Sequence, residues 1–418
     1  MVKMKEICLE RKDILRILHD MTLAHIRQFF LQTDCLNLPA LPAAHRQSTA
    51  KNALEFFNLD VDLLAFLEQA ETLEQRTDII YGAFRRNSSF SVTFRTSGST
   101  GTPNACTLSA EELEEEAESL ALFFPSMQRV VAIAPLHHVY GFVFALMLPK
   151  LLDIPVVHLH PLTTAEFFKM LRPGDMLLAF PLFWASVLKM TQYGLKPPVS
   201  GMLRGVTSGA PCDPRIIEGL LGAAENSPQP FLSEMTEIYG ATEFGAVGMR
   251  RDCRKSYALL PHWRRVQIGV DAKDGGEAMN WGIHRATGNA LPLPDILYWQ
   301  DERRFVPVRR KDKAVQVGST NVFPTRIADI VRAHPQVRDC SVRLMRPEEG
   351  NRLKAFVVPA EDNCVVNERA ERHLRRTLKT WLAARLDPAE IPKSIVFGAS
   401  LPVTSSGKAT DWVIPQQN

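Results

Sequence analysis

Three short stretches carry residue types that can hold a phosphate, a metal ion and a reacting carboxylate. The first, "TSGSTGTP", places six small residues in a row: Thr96, Ser97, Gly98, Ser99, Thr100 and Gly101. Backbone N–H groups and hydroxyls in such a turn form a concavity suited to phosphate oxygens. No Lys-Ser or Lys-Thr pair follows, so this is not the P-loop pattern, and from these residues alone a plain polar turn remains an alternative.

The other two stretches add a candidate metal ligand and a cation. In "YGATE", Thr242 and Glu243 follow a flexible Gly-Ala link at the end of an apolar run. A hydroxyl beside a carboxylate suits a phosphate oxygen and Mg²⁺, because Mg²⁺ takes few protein carboxylates and completes its shell with phosphates. In "LPVTSSGKATD", Lys408 stands in a glycine-containing turn. A lysine there can approach a reaction centre and leave it again.

The elements that must position these stretches are predicted from periodicity. Apolar runs at 129–135, 154–159, 175–181 and 203–210 alternate with helical segments, which predicts a mostly parallel α/β sheet. "SAEELEEEAESLALFF" begins with a capping box of Ser109 and Glu112 and is predicted to be a helix whose acidic residues face solvent.

The pattern changes after about residue 250, where strands become shorter. A charged stretch, "DERRFVPVRRKDK", is followed by a compact βαββα-like run. The sequence therefore predicts a large N-terminal α/β domain over residues 1–311, with mixed and parallel sheets layered with helices. A small α+β domain is predicted over residues 312–418.

Composition and charge restrict the class of protein. The 418 residues carry a formal net charge of +3, which gives no general argument for nucleic-acid binding. Seven scattered cysteines without a CxxC pair are typical of reduced thiols in a cytoplasmic protein, and the charged N-terminus does not resemble a secretory signal. The apolar run "FVFALMLPKLLDIPVV" is broken by prolines and charges, so it is predicted to be buried core without membrane insertion.

Seven motifs in order resemble the adenylate-forming (AMP-binding) superfamily of acyl- and aryl-CoA synthetases, peptide-synthetase adenylation domains and luciferases. They are "TSGSTGTP", "PLHHVYG", "SGAP", "YGATE", "RRKD", "GSTNVFP" and "LPVTSSGK". The resemblance implies a small C-terminal domain that rotates about a hinge at Asp312. It also implies ATP and Mg²⁺ as cofactors.

The resemblance implies a role for each matching residue. The ATP-binding set would be Thr96, Ser97, Gly98, Ser99, Thr100, Gly101, Ser208, Gly209, Ala210, Tyr239, Gly240, Asp301 and Arg310. Within it, Tyr239 would stack on adenine and Asp301 would bind the ribose hydroxyls. The catalytic set would be Lys408, His138, Thr242 and Glu243, with Glu243 holding Mg²⁺.

Several positions depart from the family pattern. The lysine that usually ends the phosphate loop is Asn104, and Trp299-Gln300 replaces the Thr-Gly before the ribose aspartate. Arg309 stands where a glycine is expected before the hinge arginine, and Arg326 where an acidic residue is common. These departures bear on the affinity for ATP and on the reaction rate more than on the type of reaction.

The predicted acyl pocket includes Phe142, Phe183, Trp184 and Gly245. No acidic residue follows "PLHHVYG" to pair a substrate ammonium, and burying an unpaired ammonium is costly, so amino-acid substrates are disfavoured. A small, aromatic lining suits an aryl acid such as a hydroxybenzoate or a cinnamate. Phe142 and Trp184 can equally be ordinary core residues.

The sequence is therefore predicted to encode a ligase. This ligase forms an acyl-AMP and passes the acyl group to the thiol of CoA or of a carrier protein's phosphopantetheine. The chain resembles short members that activate hydroxybenzoate-like acids. Basic residues near the hinge and on the last predicted helix can meet CoA phosphates or an acidic carrier, or can be a solvated surface. The alternatives are an aliphatic or medium-chain acyl-CoA synthetase and a degenerate, non-catalytic nucleotide-binding homologue.

Overall fold

The structure is a computed structural model. It describes residues 7–29, 38–86, 90–96, 104–125, 127–159, 164–195, 199, 201–222, 230–271, 278–284, 291–311, 314–318, 320–346, 348–360, 368–402, 411–412 and 414. The chain divides into two compact units. The first comprises Met1–Thr96 and Ala105–Val308, and the second consists chiefly of Arg309–Asn418.

The described N-terminal part of the first unit contains the helices α1 (Arg11–Phe29), α2 (Ala43–Phe56), α3 (Leu64–Gln69) and α4 (Leu73–Phe84). A two-stranded sheet of β1 (Ser91–Thr96) and β2 (Asn104–Ser109) flanks the glycine-rich loop, and α5 (Ala110–Ala121) follows directly. The predicted capping box of α5 is present: the Ser109 hydroxyl accepts from the Glu112 amide, and the Glu112 carboxylate accepts from the Ser109 amide.

A nine-stranded sheet forms the centre of the first unit. Its strands are β3 (Arg129–Ala132), β4 (Val156–His158), β5 (Asp175–Ala179), β6 (Leu203–Thr207), β7 (Leu232–Ala241), β8 (Gly245–Arg250), β9 (Tyr257–Leu259), β13 (Asp295–Trp299) and β14 (Arg304–Arg310). They lie in the order β13-β14-β9-β8-β7-β6-β5-β3-β4. A separate antiparallel sheet contains β10 (Arg264–Asp271), β11 (Ala278–His284) and β12 (Leu291–Pro292).

The large sheet is parallel on one side of β7 and antiparallel on the other. Strands β4, β3, β5, β6 and β7 pair in parallel, whereas β7–β8, β8–β9 and β9–β14 pair antiparallel. The parallel strands are connected through helices α6 (Val139–Phe142), α7 (Leu148–Leu152), α8 (Thr164–Met170), α9 (Pro181–Gln192) and α10 (Pro214–Leu220). A π-helical turn, Val143–Met147, joins α6 to α7.

Strands β3, β5 and β6 are largely buried, which explains their continuous apolar runs. Val130 and Leu178 belong to one hydrophobic cluster, and their neighbours Val131 and Leu177 belong to another. Successive side chains of a strand point to opposite faces, so a strand covered on both sides needs no polar alternation. The strands predicted from these runs are confirmed, as is the α/β class.

In its described residues, the second unit contains two small sheets and two helices. A hairpin of β15 (Val315–Val317) and β16 (Thr320–Val322) is followed by α11 (Pro324–Arg332). Strands β17 (Val337–Leu344), β18 (Leu353–Pro359) and β19 (Ser394–Phe397) form a sheet with β18 in the centre, and α12 (Glu368–Ala383) precedes β19. Leu374, Leu378 and Leu382 recur every fourth residue along α12 and are all buried in the core of this unit.

One expectation about α5 is wrong. Its acidic residues were predicted to form a solvated face, but Glu116 is buried, with 1% of its surface exposed. Position 116 lies three residues after buried Leu113 and four before buried Leu120, so it falls on the apolar face of the helix. The run predicted to be core rather than membrane is indeed buried around Phe142–Pro149. In the described part of the chain, no helix is long and apolar enough to cross a membrane.

Candidate active site

Three of the predicted motifs lie at one edge of the nine-stranded sheet. "PLHHVYG" follows β3, Phe180 follows β5, "SGAP" follows β6, and "YGATE" spans the end of β7. Since these four strands are parallel, their carboxyl ends lie at the same edge, which is where open α/β sheets bind their ligands.

Side-chain contacts join these segments. The Tyr140 hydroxyl donates to the carbonyl of Val206, 2.8 Å away, and thereby ties the segment after β3 to β6. The Ser208 hydroxyl donates to the carbonyl of Ile238 at 3.1 Å and ties β6 to β7. Gly209, next in the chain, has a positive φ of 84°, a backbone conformation that glycine adopts without strain.

Two adjacent histidines stand at this edge. The rings of His137 and His138 lie 4.5 Å apart, and His138 lies 6.4 Å from the ring of Phe180. His138 reaches solvent, yet protein surrounds it closely enough that desolvation lowers its pKa. Burial, followed by the charge of His138, lowers the pKa of His137 well below its ordinary value. Both imidazole rings are therefore neutral at pH 7.

Tyr239 is held by residues from the antiparallel side of the sheet. Its hydroxyl donates to the Asp295 carboxylate on β13, 2.6 Å away, and its ring packs edge-on against Phe305 at 5.2 Å. The residue is half-buried, so part of it remains accessible to solvent. Gly240 is exposed, and a Cβ there would lie 2.2 Å from the carbonyl oxygen of Gly245, so the bulge at this point requires glycine.

The turn after β7 rests on the buried Glu116. One oxygen of its carboxylate accepts from the amide of Ala246 at 2.8 Å. Gly245 has a φ of +71°, and a Cβ on it would lie 1.9 Å from the other Glu116 oxygen. Glu116 therefore fixes the turn containing Thr242 and Glu243. Sequence reasoning missed this role, although the position of Glu116 on the apolar face of α5 was a usable signal.

Glu243 lies where it can act on the strand that follows the glycine-rich loop. Burial, and then the negative charges of Glu243 and Glu112, raise the pKa of the Cys106 thiol on β2 to about 11. Glu243 is exposed and, within the described residues, has no hydrogen-bond or ion-pair partner. Thr242 beside it is half-buried. The arrangement provides a free carboxylate and a hydroxyl close to β2.

A single carboxylate fits Mg²⁺ better than it fits metals that need several protein ligands. No cluster of three histidine, cysteine or acidic side chains that could hold a metal occurs among the residues that the structure describes. Mg²⁺ commonly binds through one or two carboxylates, with phosphate oxygens and water completing its shell. The donor set at Glu243 is compatible with that mode.

Asp301 forms the turn that leads into β14. One of its carboxylate oxygens accepts from the amides of Arg303 and Arg304, at 2.8 and 2.7 Å. The side chain is exposed, so its carboxylate also faces solvent. Of Arg310, the structure describes the backbone at the end of β14 but not the side chain.

The predicted acyl-pocket residues differ in burial. Phe142 is fully buried and packs against Phe94 at 5.6 Å. Trp184 is also fully buried, and its indole nitrogen has no hydrogen-bond partner in the described part of the protein. Phe183 is half-buried beside it, with ring centroids 6.1 Å apart. Phe142 thus packs as a core residue, while Phe183 keeps a partly open face.

Some predicted site residues lie outside the described residues: Ser97, Gly98, Ser99, Thr100, Gly101, Asp312 and Lys408. For Thr96 and Asn104, which end β1 and begin β2, the structure describes the backbone but not the side chains.

Comparison with known proteins agrees with this geometry. The family model "AMP-binding enzyme" matches residues 58–273, and "AMP-binding enzyme C-terminal domain" matches residues 326–408. A 4-coumarate–CoA ligase of Halorhodospira halophila is 36% identical over 317 residues, which cover 76% of this chain and 74% of that protein. One from Rhodobacter capsulatus is 36% identical over 332 residues, covering 78% and 77%.

A solved structure supports the fold. The amide bond synthetase McbA from Marinactinospora thermotolerans has a TM-score of 0.60 and 16% identity, with 94% of this chain and 92% of that chain covered. The family models and the 36% identical relatives show that the chain belongs to the AMP-binding enzyme family. It is an acid–thiol ligase of the AMP-forming type, with ATP, a carboxylic acid and CoA as its substrates.

Proposed function

We propose that this chain activates an aryl carboxylic acid, of the cinnamate or hydroxybenzoate kind, as its acyl-adenylate and then forms the CoA thioester. The observation that carries the proposal is the meeting of "PLHHVYG", "SGAP" and "YGATE" at one sheet edge. Relatives that share 36% of their residues with this chain are named 4-coumarate–CoA ligases, which favours an aryl acid over an aliphatic one.

In the first half-reaction the acid's carboxylate attacks the α-phosphate of ATP and pyrophosphate leaves. Tyr239 presents the open part of its ring to adenine, and Thr242 donates its hydroxyl to a phosphate oxygen. Glu243 would hold Mg²⁺, which neutralises phosphate charge when bound. Lys408 provides a cation beside the reacting carboxylate and phosphate, where negative charge develops. No side chain needs to become covalently attached to the substrate.

In the second half-reaction the CoA thiol attacks the acyl carbon and AMP leaves. We propose that the small domain, residues 312–418, turns about Asp312 between the two steps and withdraws Lys408. His138, neutral and open to solvent, would border the route of the thiol. A carrier-protein phosphopantetheine presents the same thiol chemistry and is the alternative acceptor.

The test is acid-dependent exchange of labelled pyrophosphate into ATP with benzoates, cinnamates, medium-chain fatty acids and amino acids. We expect exchange with one class of aryl acid, followed by CoA thioester formation when CoA is added. Strongest exchange with a fatty acid would replace the aryl proposal with the aliphatic alternative. Exchange with no acid, from folded protein that binds ATP, would show that the acid belongs to none of these classes. Thioester formation on a holo carrier protein but not on CoA would change the acceptor.

Glu243→Gln tests the metal site. The substitution keeps the shape of the side chain but removes its charge, and amide oxygen is a weaker ligand for Mg²⁺ than carboxylate. We expect the Mg²⁺ concentration for half-maximal exchange to rise by at least about tenfold, in the range typical for damaged metal sites. Glu118→Gln, on the exposed part of α5, is the matched control. An unchanged Mg²⁺ dependence would show that Glu243 does not hold the metal.

A further inference from the structure

A lysine is completely buried in the middle of the second unit. Lys354 lies on β18, the central strand of its sheet, and none of its surface is exposed. Burying an unpaired ammonium is so unfavourable that such a group either loses its proton or is surrounded by acceptors. The partners of Lys354 therefore identify the chain segments that its buried charge joins.

Three oxygens surround the Lys354 ammonium. Its Nζ donates to Glu349 Oε2 and to the backbone carbonyl of Trp412, both at 2.7 Å. Asp411 Oδ1 forms an ion pair with it at 3.0 Å. Glu349 and the Trp412 carbonyl accept hydrogen bonds from the ammonium, and the Asp411 oxygen contacts it as a counter-ion, so the three oxygens together balance the buried charge. Two of them belong to the segment Asp411–Trp412, so the buried charge fastens that segment to the sheet.

A second cation and an aromatic contact reinforce the attachment. Arg346 Nε donates to Asp411 Oδ2 at 2.6 Å. The Trp412 ring is buried and packs edge-on against Phe356 on β18, with ring centroids 5.6 Å apart. Burial acts to raise the pKa of Asp411, but hydrogen bonds from Lys354 and Arg346 outweigh it and hold that pKa at about 2. The ion pairs are therefore intact throughout the neutral range.

Glu349 links the two cations. Its Oε2 accepts from the Lys354 ammonium and also from the backbone amide of Arg346, at 2.9 Å. These bonds, the one from Lys354 first, lower the pKa of Glu349, and the backbone amide of Ile414 contributes as well. We call Arg346, Glu349, Lys354 and Asp411 the C-terminal clamp.

The clamp fixes the chain very close to the proposed catalytic lysine. Asp411 follows Lys408 by three residues. An extended chain spans at most about 3.6 Å per residue, so fixing Asp411 confines the Lys408 backbone to within roughly 11 Å of it. Every position that Lys408 takes relative to its own unit is therefore set in part by where Lys354 and Arg346 hold Asp411.

We infer that the C-terminal clamp positions Lys408 for acyl-adenylate formation, with Lys354 and Asp411 as its positioning residues. The inference rests on the proposed function, in which Lys408 serves the first half-reaction only. Misplacing a reacting group by about 1 Å can cost about a hundredfold in rate. Loosening the clamp should therefore slow adenylation and spare thioester formation, a pattern that general destabilisation would not produce.

Asp411→Asn is the principal test, because it removes both ion pairs at Asp411 and leaves Lys354 bonded to Glu349 and Trp412. With the acid that supports exchange in the wild type, we expect pyrophosphate exchange to fall by about 10–100-fold. CoA thioester formation from the supplied acyl-adenylate of that acid should stay within about twofold of wild type. Hydrogen exchange of the peptide containing Lys408 should become faster.

Glu390→Gln is the matched control. It also neutralises a largely buried carboxylate of the second unit, paired there with Arg326, but it does not touch the clamp. Both of its half-reactions should resemble wild type. If Asp411→Asn does not fold, Arg346→Gln tests the same contact from an arginine whose side chain is 44% exposed, so its replacement leaves no buried charge unpaired.

The possible outcomes distinguish a failure of the clamp proposal from a failure of the proposed function. If Lys408→Ala lowers exchange but folded Asp411→Asn or Arg346→Gln does not, the clamp proposal is wrong and the proposed function stands. If a clamp variant slows both half-reactions equally, its role is merely structural. If Lys408→Ala leaves exchange intact, the proposed role of Lys408 fails and the positioning proposal fails with it.

Discussion

Lys408→Ala is expected to reduce acid-dependent pyrophosphate exchange by about 10²–10³-fold, equivalent to about 2.7–4 kcal/mol of transition-state stabilisation. The ammonium would lie beside the carboxylate and the α-phosphate as negative charge develops between them. Alanine leaves that charge without a nearby cation, and water solvates it less well than a fixed ammonium does. Transfer of the acyl group from a supplied acyl-adenylate to CoA should remain nearly unchanged, because Lys408 is proposed to act only in the first half-reaction.

Lys393→Ala provides the control for this prediction. Lys393 is an exposed lysine of the same unit, and its replacement should leave both half-reactions at the wild-type level. Exchange that survives Lys408→Ala would show that another cation serves adenylation. Loss of both half-reactions together would instead indicate damage to the whole unit.

Gly245→Ala is expected to lower the stability of the first unit strongly. The new Cβ would lie 1.9 Å from the Glu116 carboxylate, and the φ of +71° is unfavourable for alanine. The left-handed conformation costs about 1–2 kcal/mol and the overpacking about 1–3 kcal/mol. We expect the free energy of unfolding to fall by about 2–5 kcal/mol in a denaturant titration, and exchange to fall with it because Glu243 is two residues away.

Gly194→Ala is the control that separates the cost of the backbone conformation from the cost of the steric clash with Glu116. Gly194 has a φ of +83° but no atom within 4 Å of an added Cβ, so alanine there meets only the backbone cost. Gly245→Ala should be the more destabilising of the two by the overpacking contribution. Equal losses in the two variants would show that the Glu116 carboxylate moves aside freely. It would then not be the fixed support that its bond to the Ala246 amide indicates.

Local sequence patterns predicted the parts of the fold that depend on local forces. The continuous apolar runs at β3, β5 and β6 predicted strands buried on both faces, and the Ser109–Glu112 box predicted the start of α5. Of the seven family motifs, three follow parallel strands, and the register of those strands brings their carboxyl ends to a common edge.

The contacts that support the site were not predictable in the same way. Tyr239 and Asp295 are 56 residues apart, and no local signal pairs a tyrosine with so distant a carboxylate. Lys354 stands in "LKAFVVP", where a lone lysine suggests an exposed edge, whereas its counter-ions come from a turn and from the C-terminal segment. Glu116 stands in a run of glutamates, so its residue type did not distinguish it from its solvent-facing neighbours. In each case tertiary contacts outweigh local polarity.

The single strand β7 has a consequence for altering substrate choice. Its residues pair in parallel with β6 and antiparallel with β8, and it carries both the Ile238 carbonyl that receives Ser208 and the neighbouring ring of Tyr239. A change of register along β7 would displace Tyr239 and the Ile238 carbonyl together. The proposed adenine contact and the Ser208 segment would therefore move by the same amount. Engineering the acid preference independently of ATP should therefore begin on α9, at Phe183, which is proposed to line the acyl pocket, and leave β7 untouched.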